Sequence, residues 1–263
     1  MKIAVTVIIL LQSHFGFSQN YDFYMGLFYT YYDDDNTEKA LEVAIKGTQK
    51  FPDSIVFWAR GGELYARSDK HRIAITFFNK AFELGETIPQ LYLLRAISYQ
   101  NLDSLDKAAE DYGHLEKIGQ LDETVRTNFG HLEFLRKNYN HAIELIKPVF
   151  GNSFGFPWKD YALIHAYYRI EECDSVIHYA SKMIEKDSSQ INAYAIRAEC
   201  YRRTDRSFEA CEDFLVVFAA GNFEYKGHFD KNDCFDILNM SDPQSPYSYP
   251  PPPPLVAPIK VDD

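Results

Sequence analysis

Side chains able to do chemistry are few in this chain. His131 and His165 could share a metal ion or act as acid and base, but a metal site needs further ligands and catalysis needs a placed nucleophile. The three aspartates at 33–35 lack the glycine and distal glutamate of a calcium loop. The sequence contains no phosphate-binding loop or nucleophile elbow. It therefore predicts a protein that is not an enzyme and that uses no metal or cofactor.

The four cysteines are the other reactive side chains, and all lie in the last third of the chain. They are Cys173, Cys200, Cys211 and Cys234. Four cysteines allow three pairings, and their confinement to one region favours disulfides. The alternative is buried free thiols. Zinc binding is disfavoured because no paired Cys-x-x-Cys spacing is present.

A period of 34 residues determines where these side chains lie. One small apolar position recurs six times without insertion or deletion, at Ala40, Ala74, Ala108, Ala142, Val176 and Ala210. A tyrosine precedes it by nine residues in five units, at Tyr31, Tyr65, Tyr99, Tyr167 and Tyr201, and Glu133 replaces it in the fourth. The units are 21–54, 55–88, 89–122, 123–156, 157–190 and 191–224. Each has two apolar stripes at helical spacing and predicts a helical hairpin. The alternative is an irregular helical bundle with chance spacing.

A polar break separates the two stripes of each unit. In the second and third units it contains Asp69, Asp103 and Ser104, which we expect to cap the second helix. The fourth unit departs most from the pattern, because Arg126 and Glu133 occupy aromatic positions and Pro148 comes late in its second helix. We expect this unit to be the softest part of the stack.

This pattern resembles the tetratricopeptide repeat. Small residues such as Gly62 and Ala74 would let two helices approach closely, and large ones such as Tyr65 and Phe78 would fill the space beside them. The resemblance covers about residues 21–224 and implies an all-α fold: a right-handed α-solenoid of stacked helix-turn-helix repeats with a C-terminal capping helix. Stacking also puts the second helix of one unit against the first helix of the next, which favours the pairs Cys173–Cys200 and Cys211–Cys234.

The first helices of this family line a concave groove. Its positions in the fourth and fifth units hold aromatic, histidine and arginine side chains: His131, Phe134, Trp158, Tyr161, His165, Tyr168 and Arg169. Such residues carry much of the binding energy at interfaces, so the resemblance implies a site for a protein or peptide. The alternative is that some aromatic residues are exposed simply because the chain has 19 Tyr and 20 Phe. The Lys and Asn clamp of chaperone-binding members is absent.

The two ends of the chain differ from the repeats. Residues 1–18 combine Lys2, an apolar run and small residues at Gly16 and Ser18, which predicts a cleaved signal peptide and a mature start at Gln19. A buried first helix is the alternative. Residues 19–240 form the predicted solenoid, in which 225–240 cap the last repeat. Residues 241–263 are a proline-rich tail, either a spacer or a short ligand.

The net charge of −11 disfavours nucleic acid as a partner, because nucleic acid rewards a basic surface. The mature chain has no predicted membrane span. We therefore expect an exported, periplasmic or secreted scaffold that binds a protein or peptide in its groove. The alternative function is an accessory or sensor domain of an envelope enzyme or transport system, docked through the proline-rich tail. A minor third reading is a metal or small-ligand binder using His131 and His165.

Overall fold

Six helical hairpins form the repeats in the computed structural model, which describes residues 20–152, 158–221 and 234–238. Helix α1 covers 20–33. The others are α2 (Thr37–Lys50), α3 (Ile55–Arg67), α4 (His71–Glu83), α5 (Pro89–Asn101), α6 (Leu105–Lys117), α7 (Glu123–Leu135), α8 (Tyr139–Ile146), α9 (Trp158–Arg169), α10 (Cys173–Lys186), α11 (Ile191–Arg203), α12 (Ser207–Ala219) and the short α13 (Cys234–Ile237). These ranges contain no strand. The all-α prediction and the hairpin in each repeat are confirmed.

The second helix of every repeat begins at the same position of the 34-residue frame. The first residues of these helices are Thr37, His71, Leu105, Tyr139, Cys173 and Ser207. Pro148 does not kink the fourth of them, because α8 ends at Ile146 and Pro148 lies in a 3-10 turn, Lys147–Val149. Proline has no amide hydrogen to donate, so the end of a helix accommodates it.

The turn inside each hairpin is a repeated left-handed helix end. The residues with positive φ there are Asp35, Asp69, Asp103, Lys137, Glu171 and Asp205, with φ between 54° and 63°. In each case the next amide donates to the carbonyl five residues earlier, as Lys70 does to Tyr65 at 2.9 Å. This is the Schellman arrangement, which satisfies carbonyls at a helix end. Aspartate tolerates the left-handed region better than most residues, which explains why it occupies four of the six positions.

The expectation that Asp69, Asp103 and Ser104 cap the second helices through their side chains is wrong. Asp69 and Asp103 end the first helices with their backbones, and Ser104 makes no capping hydrogen bond from its side chain. Asn36 is a residue that does cap in this way, since it accepts from the Lys39 amide at 3.2 Å.

Glycine ends the second helix in three repeats. Gly85, Gly119 and Gly221 have φ of 99°, 75° and 81°. A Cβ atom at any of them would meet nothing within 4 Å, so the backbone angle and not the available space requires glycine. The sequence analysis missed this second periodic turn.

Small residues bring the two helices of a hairpin together as the repeat pattern predicted. The six small residues that define the 34-residue period lie in the second helices, and all are fully buried: Ala40, Ala74, Ala108, Ala142, Val176 and Ala210. On a first helix, Gly62 likewise lets the two helices approach closely, because a Cβ atom there would lie 2.7 Å from the Phe78 ring. Phe78 is itself fully buried. Close approach of α3 and α4 therefore depends on glycine at this point.

Two compact units make up the chain, residues 1–132 and 133–263, and their boundary lies within α7. The fourth repeat contains this boundary; its greater softness stays a prediction. Within the second unit Glu133 is buried and has three polar partners. Arg136 and Asn138 each donate to it at 2.6 Å, and the His141 Nδ1 atom lies 3.2 Å away. These contacts explain how a carboxylate replaces tyrosine here.

The last described segment covers the end of the sixth repeat. Cys234 and Leu238 are buried against Cys211 and Phe214 of α12. Residues 234–238 belong to the predicted cap at 225–240, and its remaining residues lie outside the described part of the chain. The predicted signal peptide at 1–18 and the tail at 241–263 also lie outside it.

Candidate functional site

The predicted groove residues of the second unit lie along one side of α9 and on its neighbours. Tyr161, His165, Tyr168 and Arg169 follow each other at spacings of four, three and one, which places them on one helix face. Trp158, Phe134 and Tyr168 also pack partly against the core cluster formed by α8, α9, α10 and α11. We define the α9–α11 face as Tyr161, His165, Tyr168 and Arg169 of α9 with Arg202 and Arg203 of α11.

Tyr168 and Arg203 form the centre of the α9–α11 face. An Arg203 Nη atom donates to the Tyr168 hydroxyl at 2.5 Å, and its guanidinium carbon lies 4.4 Å from the ring centroid. Burial raises the pKa of Tyr168, and the Arg203 charge opposes this rise. Arg202 is held separately by Glu199, through two hydrogen bonds of 3.1 and 2.7 Å. Because both arginines are held in place, the face loses little side-chain entropy on binding.

The remaining residues of this face differ in hydrogen bonding and in exposure. The Tyr161 hydroxyl donates to Gln190, and burial, with a smaller contribution from Asp187, raises its pKa. His165 and Arg169 are exposed. Partial desolvation and then the Arg169 charge lower the pKa of His165, so its ring is neutral near pH 7. The face therefore offers aromatic rings and a cationic side chain to a partner.

His131 belongs to the first unit and has a structural partner there. Its Nδ1 atom lies 3.1 Å from the Gln100 amide nitrogen, and desolvation lowers its pKa. No group of three or more His, Cys, Asp or Glu side chains suited to a metal ion occurs in the part of the chain that the structure describes. The two predicted histidines thus have no observed third ligand in that part.

The described residues include one grouping that mimics a catalytic triad. The His71 Nδ1 atom is 3.4 Å from the Ser98 hydroxyl, and the His71 Nε2 atom is 3.8 Å from Asp69. Ser98 is fully buried, however, and donates to the Leu94 carbonyl at 2.8 Å. A nucleophile must reach its substrate, so this grouping is a contact between repeats.

A buried ion pair recurs in the third and sixth repeats, and the sequence analysis missed it. Arg95 forms two hydrogen bonds with Asp111, of 2.8 and 2.6 Å, and a third of 2.7 Å with Asn79 of the preceding repeat. Arg197 bonds Asp213 at 2.8 and 2.7 Å and Ser181 at 2.8 Å. The available signal was that arginine and aspartate occupy the same two frame positions in these two repeats alone.

The four cysteines form two contacts, both between the residues that stacking favoured. Cys211 and Cys234 form a disulfide that joins α12 to α13. Cys173 and Cys200 are buried thiols whose sulfur atoms lie 2.7 Å apart. Both of the latter belong to the core between the fifth and sixth repeats.

Comparisons with known proteins bear on the fold. No protein-family model matches the sequence, and no curated protein sequence matches it significantly. A tetratricopeptide repeat protein from Parabacteroides merdae is similar in structure over 85% of this chain and 92% of its own, with a TM-score of 0.58 and 16% identity. The C-terminal part of a TPR repeat-containing protein from Cytophaga hutchinsonii matches over 81% and 84%, with a TM-score of 0.57 and 18% identity. PilF of Pseudomonas aeruginosa matches over 82% and 99%, with a TM-score of 0.55 and 14% identity.

Among the described helices, none is both long and apolar enough to cross a membrane. At sequence identities this low the structural likeness concerns the fold, and a shared fold does not by itself assign a binding partner. The likeness nevertheless agrees with the 34-residue period, the six hairpins and the buried small residues. This chain has the fold of tetratricopeptide repeat proteins.

Proposed function

We propose that this protein is an exported, non-enzymatic scaffold that binds a protein or peptide on the α9–α11 face. The contact between Tyr168 and Arg203 carries the proposal, because it presents an ordered ring and guanidinium at the surface. Tyrosine and arginine are enriched among the residues that dominate binding energy at interfaces. Exposed His165 and Arg169 extend the same surface.

The first step of the test is to find partners with the mature chain as bait on an envelope fraction. The decisive step repeats the capture with Tyr161→Ala combined with Tyr168→Ala. We expect this double variant to weaken binding at least about tenfold, which corresponds to about 1.4 kcal/mol, while circular dichroism stays unchanged.

The matched control is Phe208→Ala on α12. Phe208 is an aromatic residue, 47% exposed, on a second helix and outside the α9–α11 face. It should leave binding within about twofold of the parent protein. Equal binding by the parent and the double variant would refute the face as the site. A variant ending at residue 240 tests docking through the proline-rich tail, since only that mode needs the tail.

Export is the other part of the proposal, and residues 1–18 support it through their charge, apolar run and small residues. We expect a mature N-terminus at Gln19 in protein recovered from outside the cytoplasm, as measured by intact mass. A recovered product that retains Lys2 would show that the segment is not a cleaved signal.

A further inference from the structure

Cys173 and Cys200 form an unusual contact in the core of the second unit. Their sulfur atoms are 2.7 Å apart, and the residues are 9% and 0% exposed. Cys173 is the first residue of α10, and Cys200 lies in the last turn of α11. A disulfide bond has a sulfur separation of about 2.05 Å, so only a small movement of the side chains separates this contact from a bond.

The equivalent contact in the first unit has different chemistry. His71 opens α4 as Cys173 opens α10, and Ser98 occupies in α5 the position of Cys200 in α11. These two residues meet at 3.4 Å. The site is therefore a regular meeting point of successive repeats. Between the fifth and sixth repeats it holds two residues that can bond covalently.

The thiol pair lies behind the proposed binding face. Arg203 follows Cys200 by three residues on α11, and its guanidinium contacts Tyr168. Tyr167, next to Tyr168, accepts the Glu172 amide at 3.0 Å in the turn that leads to Cys173. The Cys200 carbonyl accepts the Thr204 hydroxyl at 2.9 Å at the end of α11. A covalent link at the sulfur atoms would thus restrain both helices that carry the face.

We propose that Cys173 and Cys200 are a reversible dithiol–disulfide site that a small-molecule disulfide, such as glutathione disulfide, oxidises. The more exposed Cys173 thiolate attacks one sulfur of the oxidant and releases one glutathione. The Cys200 sulfur then attacks the Cys173 sulfur, and the second glutathione leaves with the proton of the Cys200 thiol. Two protein thiols are oxidised and one glutathione disulfide is reduced to two glutathiones.

The test equilibrates the full mature chain in glutathione buffers of increasing oxidised fraction, then alkylates free thiols and maps peptides by mass spectrometry. We expect Cys173 and Cys200 to pass together from two alkylated thiols to one linked peptide. The Cys211–Cys234 link serves as an internal reference in the same digest. The new link closes a loop with a sequence separation of 27, so the unfolding midpoint should rise by about 5–10 °C on oxidation.

Two variants control the experiment. Cys200→Ala and Cys173→Ala should each abolish both the linked peptide and the change in midpoint, and the second serves if the first does not fold. The proposal would be overturned if Cys173 and Cys200 were alkylated at every buffer ratio. It would also be overturned if mixed disulfides with glutathione persisted and did not convert to the linked peptide. The readout is independent of partner binding, so a failed binding test leaves this result interpretable.

Discussion

The interface between the second and third repeats and that between the fifth and sixth share one plan, and one of their differences matters for chemistry. Both contain a largely buried arginine that bonds an aspartate of its own repeat and a polar residue of the preceding one: Asn79, Arg95 and Asp111 in the first unit; Ser181, Arg197 and Asp213 in the second. In both interfaces the guanidinium of this arginine lies near two tyrosine rings. Arg95 also lies 4.2 Å from the Phe82 ring centroid. The difference that matters for chemistry is the neighbouring contact, which is His71 with Ser98 in one interface and Cys173 with Cys200 in the other. A common scaffold thus carries either a hydrogen-bonding pair or an oxidisable pair.

The largest effect should come from removing the arginine at either interface. Arg95→Met leaves Asp111 buried without its partner and should lower the unfolding free energy by about 3–5 kcal/mol, as should Arg197→Met in the second unit. Denaturant unfolding followed by circular dichroism measures both. A paired change, Arg95→Leu with Asp111→Leu, should recover most of the loss, because no buried charge remains. If either single variant lowers the unfolding free energy by less than about 1 kcal/mol, the two interfaces are not equivalent.

The loss in Arg95→Met should also depend on pH. Burial raises the pKa of Asp111, and Arg95 opposes that rise in the parent protein. Without Arg95 the folded-state pKa of Asp111 lies further above its unfolded value, so protonation favours folding. Stability relative to the parent protein should therefore improve as the pH falls from 7 toward 4. A gap that widens on acidification would contradict this account.

The next effect concerns the bond that each arginine makes to the preceding repeat. Asn79→Ala and Ser181→Ala each remove one charge-assisted hydrogen bond and should cost about 2 kcal/mol. Similar losses would show that the two interfaces are equivalent in energy as well as geometry. Thr76→Ala is a control on the same helix as Asn79, because its exposed hydroxyl bonds only a carbonyl of its own helix. It should cost less than about 0.5 kcal/mol.

A smaller effect is expected at the glycines that end the second helices of the third and sixth repeats. Gly119→Ala and Gly221→Ala force alanine into φ of 75° and 81°, which should cost about 1 kcal/mol each. Gly113→Ala in α6 is the matched control, since a Cβ there meets nothing within 4 Å and no positive φ is involved. It should stabilise the chain by about 0.5 kcal/mol, because alanine favours helix. Thermal unfolding distinguishes the opposite signs.

The smallest change in stability should come from exchanging the contacts that differ. Cys173→His with Cys200→Ser gives the fifth–sixth interface the pair found in the first unit. We expect a loss within about 1 kcal/mol and an unfolding midpoint that no longer responds to glutathione. A loss of several kcal/mol would show that the surroundings of the two contacts are not equivalent.

Regular positions were predictable from the sequence because their physical causes repeat. Ala74 and its five counterparts are small wherever helices cross closely, so the period alone predicted their burial. The Schellman turns were misassigned because Asp69 is favourable both as a capping side chain and as a left-handed residue. Which role it takes depends on backbone bonds that the residue types do not specify.

The ion pairs and the candidate site were harder to predict. Within one repeat, the residue types do not distinguish Arg95 and Asp111 from solvated charges on a helix surface. Only the packing of two successive repeats shows that Asp111 is buried and Arg95 largely so. The α9 residues of the α9–α11 face were predicted by analogy, and the structure brought Tyr168 together with Arg203, which lies in the next repeat. Contacts of this kind depend on how neighbouring repeats stack, and a single-sequence pattern contains that information only when the same pair recurs.

The arginine that bonds two repeats at once has a consequence for how the chain unfolds. In a linear array of coupled units, stability is a sum of internal terms and of couplings between neighbours. Arg95 adds a coupling between the second and third repeats, since unfolding either one strands a buried charge. Arg197 does so between the fifth and sixth. The two repeats of each pair should therefore unfold together as one block. Unfolding that starts at an end of the repeat array should stop at the edge of such a block before the block itself unfolds.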